Sequence, residues 1–128
     1  MSTRRSFEVP GLHHENPIPM GCTIGPFMMS SGIFGMEPET RKTPPDIESQ
    51  CKLMFANIRR VMEAAGGSVD DIIKVVVWAK DKSFKEAVNK EWLNTVTDDE
   101  LRVFKPPDEL IDMLKSTGVT PEKEVLTH

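Results

Sequence analysis

The 128-residue chain contains no tyrosine, only two cysteines and no long apolar run. A bilayer-spanning helix needs roughly 20 consecutive apolar residues, so no membrane partner is expected. Arg4 and Arg5 are not followed by an apolar segment, which argues against a signal peptide and makes the cytoplasm the default location. Lysine and arginine are scattered, and the formal net charge is −4. Because nucleic-acid binding usually requires a basic stripe, no nucleic-acid partner is expected either.

Metal-binding patterns are also missing from the chain. Cys22 and Cys51 form no C-x-x-C pair, and His13 and His14 fall in a proline-rich segment far from either of them in sequence. Zinc sites usually need closely spaced pairs of ligands, so we expect no metal site. The two cysteines are predicted to be reduced, partly buried thiols, and the two histidines to be loop residues rather than ligands or bases.

The composition is typical of a folded globular protein. Hydrophobic residues make up 38% of the chain and charged residues 28%, with no long polar tract. A chain of this length can bury one core but has little margin for two. We therefore expect a single domain over residues 1–128.

The first helix is predicted after the proline-rich segment. Thr43, Pro44 and Asp46 have the spacing of a capping box in which Thr43 is the N-cap. Apolar residues then recur at intervals of three and four, as on one helical face: Ile47, Cys51, Met54, Ile58, Val61 and Ala65. Gly66 and Gly67 are expected to end the helix.

A strand and a second helix are predicted next. Residues 72–79 are almost continuously apolar and β-branched, which favours a strand that is covered on both faces or lies in the middle of a sheet. Ser83 and Glu86 have the spacing of another capping box. One face of the helix that follows carries Phe84, Val88 and Trp92.

The last third of the chain predicts a short strand at 101–104, a third helix at 108–116 and a final strand at 124–128. Two earlier strands are expected near residues 6–9 and 27–31. This order of elements indicates an α+β fold, with two main helices packed on one face of a sheet and an extra C-terminal helix.

Short motifs occur in a fixed order between about residues 6 and 94: Ser31-Gly32, Asp46-Ile47, Gln50, Asn57-Ile58, Ala64-Ala65-Gly66, Asp70-Asp71-Ile72, Lys74-Val75, Asp81, Phe84 and Asn89. This ordered set resembles the reactive intermediate deaminase family, called Rid or YjgF, while residues 95–128 diverge from it. The resemblance implies an α+β subunit with a six-stranded mixed sheet, assembled as a chorismate-mutase-like homotrimer.

Proteins of that family hydrolyse reactive enamines and imines in the clefts between subunits. The resemblance implies that Ser31, Gly32 and Asn89 bind the substrate in such a cleft, and that no cofactor is needed. It also implies that the ligand is a small metabolite bearing a carboxylate. In the family, a late glutamate orients or activates the attacking water. Glu122 and Glu124 are both candidates for that catalytic role here.

The family grips the substrate carboxylate with an arginine in an R-P-A-R run, where the planar guanidinium binds bidentately. The corresponding run in this chain is Arg102-Val103-Phe104-Lys105. Arg102 therefore keeps the first arginine of the run, and Lys105 replaces the second. Both are predicted to bind substrate, although lysine does not reproduce the fork of arginine.

Two functions follow from this pattern, and a third is weaker. The first is a 2-iminobutanoate/2-iminopropanoate-deaminase-like hydrolase that converts 2-imino or 2-enamino acids to keto acids and ammonia. The second is a non-catalytic trimer that binds small metabolites, which the altered R-P-A-R run favours. Endoribonuclease activity is disfavoured because the chain is acidic and has no basic stripe.

Overall fold

The computed structural model describes residues 3–80 and 83–95, together with the strand backbone at 102–104 and 122–127. The elements in chain order are β1 (Arg5–Phe7), β2 (Gly21–Ile24), β3 (Phe27–Ser30), α1 (Ile47–Ala64), β4 (Lys74–Ala79), α2 (Phe84–Thr95), β5 (Arg102–Phe104) and β6 (Glu122–Thr127). Two helices with antiparallel strands make up the predicted α+β class. The chain divides into two compact units, Met1–Val69 and Asp70–His128. The prediction of a single domain stays a prediction.

The first unit is built on an antiparallel sheet with the order β1-β2-β3. Gly21 pairs with Phe7 on one side and with Ser30 on the other. The core of the unit joins residues of the loops to one residue of α1: Val9, Leu12, Met20, Met36 and Val61, with Phe7, Met28 and Ile33 packed against them. The loops on either side of the hairpin are therefore fixed by apolar packing, which sets the position of the residues discussed below.

Helix α1 begins one turn later than the sequence predicted. Its N-cap is Asp46, whose carboxylate accepts a hydrogen bond of 2.9 Å from the backbone N–H of Ser49. Thr43 was the wrong choice because Pro44 precedes a second proline, which disfavours the helical conformation that the first residue after the cap must adopt. At the other end, Gly66 has φ +89° and ends the helix as predicted.

The apolar face of α1 is narrower than predicted at its start and wider in its middle. Ile47 is 38% exposed, whereas Cys51, Ile58 and Val61 are buried as expected. Phe55 is also buried although it lies outside the predicted stripe, and so is the polar Asn57. A helix that touches loops as well as a sheet buries more of its circumference than a single apolar stripe indicates.

The second unit contains an antiparallel sheet with the order β4-β6-β5. Within the described strands β4 is therefore an edge strand, and its side chains alternate between covered and exposed: Val77 is 3% exposed, Val76 41% and Trp78 62%. The prediction that both faces of this strand are covered is wrong for the isolated chain. Its continuous apolar run leaves an apolar face in solvent.

Helix α2 agrees with the sequence, because Phe84, Val88 and Trp92 are all buried. The strands predicted near 102 and 124 are confirmed as β5 and β6. The helix predicted at 108–116 lies outside the described residues. Every strand pair in the described part of the chain is antiparallel, so the mixed sheet implied by the resemblance is not seen there. Neither described helix is long and apolar enough to cross a membrane.

Candidate functional site

Ser31 opens the segment 31–36, which leaves the sheet at the end of β3. Its backbone N–H donates to the carbonyl oxygen of Met20 at 2.9 Å. Its hydroxyl lies 3.0 Å from the carbonyl oxygens of both Pro19 and Met20 and donates its proton to this pair. The hydroxyl proton of Ser31 is therefore engaged within the fold, and the residue fixes the direction in which the chain leaves the strand.

Asn57 of α1 holds the far end of the same segment. Its side chain is completely buried, and its amide nitrogen donates to the carbonyl oxygens of Phe34 at 2.8 Å and Met36 at 2.9 Å. Its own amide oxygen accepts from Arg60. Gln50, about two turns nearer the N-terminus on the same side of the helix, donates to the carbonyl oxygen of Pro44 at 2.7 Å. Both side chains thus hold backbone carbonyl groups within the fold.

Gly35 brings this segment into direct contact with α1. A Cβ atom at residue 35 would lie 2.2 Å from the carbonyl oxygen of Gln50 and 2.8 Å from its carbonyl carbon. No side chain fits there, because both atoms belong to the helix backbone and cannot move aside cheaply. Glycine at this position is therefore a requirement of packing.

Gly32 differs from Gly35 although only two residues separate them. It is exposed, its φ is not positive, and a Cβ would meet just one atom within 4 Å, Cε1 of His14 at 3.9 Å. Neither steric crowding nor backbone conformation requires glycine here, in contrast to Gly11, where φ is +82° and a Cβ would lie 2.1 Å from the carbonyl oxygen of Pro38. Glycine at position 32 therefore leaves its backbone exposed without being required by the fold.

His14 and Phe34 flank the open position. Their rings pack edge to face, with centroids 5.7 Å apart and planes inclined by 65°. Phe34 is 56% exposed. The Nε2 atom of His14 is buried and has no hydrogen-bond partner among the described residues. The sequence did not distinguish His14 from His13, because both are polar residues in the same proline-rich loop.

The loop that carries His14 is itself held in place by Arg41. Its Nη1 donates to the carbonyl oxygens of Gly11 at 2.9 Å and His13 at 3.0 Å. Arg41 adopts a left-handed conformation with φ 57°, inside a turn closed by a hydrogen bond from its N–H to the carbonyl of Glu37. A single sequence gives no signal for this contact, because it joins two loops about 30 residues apart.

The second unit holds the remaining predicted site residues. Asn89 lies on α2, partly buried, and its Oδ1 is buried without a hydrogen-bond partner in the described part of the chain. An unpaired buried oxygen suits a residue that receives a hydrogen bond from a ligand.

The candidate glutamates and Arg102 lie on neighbouring strands. Glu122 pairs with Ala79 and Glu124 with Val77, while Arg102 pairs with Thr127. Lys105 lies outside the described residues. Among the side chains that are described, no three of His, Cys, Asp or Glu gather into a metal-binding group.

Comparison with known proteins places this arrangement in a family. A sequence model described as Endoribonuclease L-PSP, which represents the YjgF/Rid proteins, matches residues 15–110. The chain belongs to this family.

Curated relatives match a shorter stretch of the chain than the family model does. The 2-iminobutanoate/2-iminopropanoate deaminase of Escherichia coli K12 is 33% identical over 73 residues, which is 57% of each chain. A RutC family protein of Pasteurella multocida is 32% identical over 76 residues, or 59% of each chain. The match thus spans less than two-thirds of the length of these relatives.

Solved structures confirm the fold over nearly the whole chain. RidA from an Antarctic Psychrobacter superposes with a TM-score of 0.65 at 20% identity, covering 99% of this chain and 97% of that one. Escherichia coli TdcF with bound serine gives a TM-score of 0.64 at 20% identity, with coverages of 96% and 95%. The predicted YjgF-like α+β fold is therefore established.

Proposed function

We propose that this protein is an enamine/imine deaminase, which hydrolyses small 2-imino or 2-enamino acids to keto acids and ammonia. The observation that carries the proposal is the exposed backbone at Gly32, where the fold itself does not require glycine. The family membership and the names of the curated relatives supply the class of reaction.

The chemistry needs water, a carboxylate and a cation. Water adds to the imine carbon to form a carbinolamine, and the carbon–nitrogen bond then breaks to give the keto acid and ammonia. A carboxylate from Glu122 or Glu124 would take a proton from the water and return one to the leaving nitrogen. Arg102 or Lys105 would bind the substrate carboxylate, and Ser31, Gly32 and Asn89 would bound the rest of the ligand. None of these steps calls on a cofactor.

Self-association into a homotrimer completes the proposal. Val76 and Trp78 leave an apolar face of β4 in solvent, and on β3 Phe27 is 72% and Met29 80% exposed. Apolar side chains of this size on two sheets are typical of surfaces that a second copy covers. Sedimentation equilibrium would give the mass of a trimer for the native chain and a smaller mass for Met29→Lys. A native chain that sediments as a monomer contradicts this part of the proposal.

Two alternative functions can be tested with the same purified protein. A metabolite-binding protein without catalysis is favoured by the replacement of R-P-A-R with a run that ends in Lys105. An endoribonuclease is suggested by the description of the family model, whereas the net charge of −4 weighs against RNA binding.

The deciding experiment measures ammonia release from freshly generated 2-aminoacrylate, with and without the protein. We expect release well above the rate in buffer. A folded protein that gives no acceleration with several imino acids contradicts the deaminase proposal and leaves the binding protein. Cleavage of RNA without deamination would instead select the ribonuclease.

Variants test the roles of the charged residues. Arg102→Ala combined with Lys105→Ala should abolish ammonia release if either residue anchors the substrate carboxylate. Lys52→Ala, an exposed charge on α1, is the control and should keep full activity. Unchanged activity in the double variant would exclude Arg102 and Lys105 from substrate binding.

A further inference from the structure

His14 borders the open side of Gly32, and packing alone does not explain why this side chain is a histidine. Its Nε2 is buried and has no partner within the described residues. An unpaired buried nitrogen costs about 1–3 kcal/mol, which a phenylalanine in the same place would not incur. If the ring served only to contact Phe34, an apolar ring would therefore stabilise the fold more than a histidine does.

The position of the ring offers that nitrogen a partner. A half-turn of an imidazole about its Cβ–Cγ bond keeps the ring plane and exchanges Nε2 with Cε1. The Cε1 of His14 is the atom that faces Gly32, 3.9 Å from where a Cβ would stand. The half-turn thus preserves the edge-to-face contact with Phe34 and brings Nε2 to the exposed side of Gly32.

We propose that His14 is a ligand-binding residue, whose Nε2 donates a hydrogen bond to an oxygen of a small 2-oxo or 2-imino acid held against Gly32. The class of ligand rests on the deaminase proposal. An imidazole N–H is a suitable donor to a carboxylate or carbonyl oxygen, and the hydrogen bond replaces the one that the buried nitrogen lacks.

The surroundings of His14 are organised for such a contact. Arg41 fixes the carbonyls of Gly11 and His13, so the backbone that carries the ring is held before a ligand arrives. Phe34 restricts the plane of the ring. The side chain can still rotate by a half-turn about its Cβ–Cγ bond. This rotation costs little free energy because both orientations of the ring occupy the same volume.

The first test observes the histidine ring directly by NMR in the native protein, with 2-oxobutanoate as the probe. The chain has three histidines, so the ring signals can be assigned by substitution. We expect a saturable shift of the His14 ring signals, with little change at the exposed His13. Absence of a saturable His14 response up to the solubility limit of the probe overturns the proposal.

A matched pair of variants supplies the second test. His14→Phe keeps the ring contact with Phe34 but removes the nitrogen, and should bind 2-oxobutanoate roughly tenfold more weakly, as expected for loss of one hydrogen bond to a charged group. His13→Phe should bind as the native chain does. His14→Gln, which retains a nitrogen donor, should recover part of the affinity. Equal affinity for native and His14→Phe proteins excludes the contact.

The outcome is separable from the test of deamination. If ammonia release is accelerated and the His14 signals do not respond, the histidine assignment fails and the deaminase stands. If the His14 signals respond without accelerated ammonia release, the ligand contact stands and the catalytic function fails. The native titration decides the question even if a His14 variant does not fold.

Discussion

Two ends of one short segment show how differently glycine can be used. At Gly35 the chain lies against α1, where a Cβ would be 2.2 Å from a helix carbonyl oxygen, and Asn57 holds the carbonyls on either side. At Gly32 the chain is exposed and a Cβ would have room. Packing explains the glycine at position 35. It does not explain the glycine at position 32, which points to a functional reason there. Residue type alone does not distinguish them, but local space does.

The largest expected effect comes from cutting the anchor at Asn57. Asn57→Ala removes both donors to Phe34 and Met36 and leaves buried carbonyl oxygens unpaired, which should lower the free energy of unfolding by about 3 kcal/mol. Urea unfolding measures the change. Gln50→Ala, which loses one hydrogen bond from the same helix, should cost about 1 kcal/mol. Equal stability of the two variants would show that Asn57 is not the main anchor.

The packed glycine gives the next largest effect. Gly35→Ala forces a methyl group against the backbone of Gln50 and should destabilise the protein by about 2 kcal/mol. Thermal unfolding of Gly35→Ala and of Gly32→Ala, measured under the same conditions, compares the two positions directly. If Gly35→Ala unfolds at the native temperature, the segment is free to move away from α1 and the contrast between the two ends disappears.

The sequence predicted the packed helices better than it predicted the loops around Gly32. The apolar period of α1, the glycine stop at Gly66 and the buried stripe of α2 all follow from local spacing, which one sequence displays. The cap was misplaced because Thr43 fitted the spacing, whereas Pro45 keeps the preceding Pro44 out of the helical conformation. His14 and Arg41 were missed because their contacts join loops that are distant in sequence.

The predicted site residues also fall into two groups, those engaged within the fold and those left open or unpaired. Ser31 and Gly32 were recognised from a two-residue motif, and the structure adds that only Gly32 is open while the hydroxyl of Ser31 is engaged. Asn89 was assigned from the ordered motifs of the family, and its buried oxygen lacks a partner among the described residues. Trp78 was expected to be covered but is 62% exposed, because a run of apolar residues does not show which neighbouring elements cover each face of the strand.

Acid should lower the stability of the fold at the start of α1, by less than the Gly35→Ala substitution does. Hydrogen bonds from Ser49 lower the pKa of Asp46 below its ordinary value. The stabilisation is thus fully present above the unfolded-state pKa of about 3.9 and is lost as the pH falls through the lower folded-state pKa. Asp46→Asn keeps a capping side chain without the charge and should remove this part of the acid dependence. Thermal midpoints measured from neutral to acid pH for both proteins provide the test, and parallel curves would contradict it.

The smallest effect on stability is expected at Gly32, where the effect on function should be large. Gly32→Ala restricts the unfolded chain, and because its φ is not positive and the methyl group meets one atom at 3.9 Å, stability should rise slightly, by about 0.5 kcal/mol. The same methyl group stands between His14 and the exposed backbone, so binding of 2-oxobutanoate and release of ammonia should both fall. Unfolding and ligand titration on one preparation decide the matter. A variant that is as stable as the native chain and binds equally well would show that the open space beside Gly32 holds no ligand.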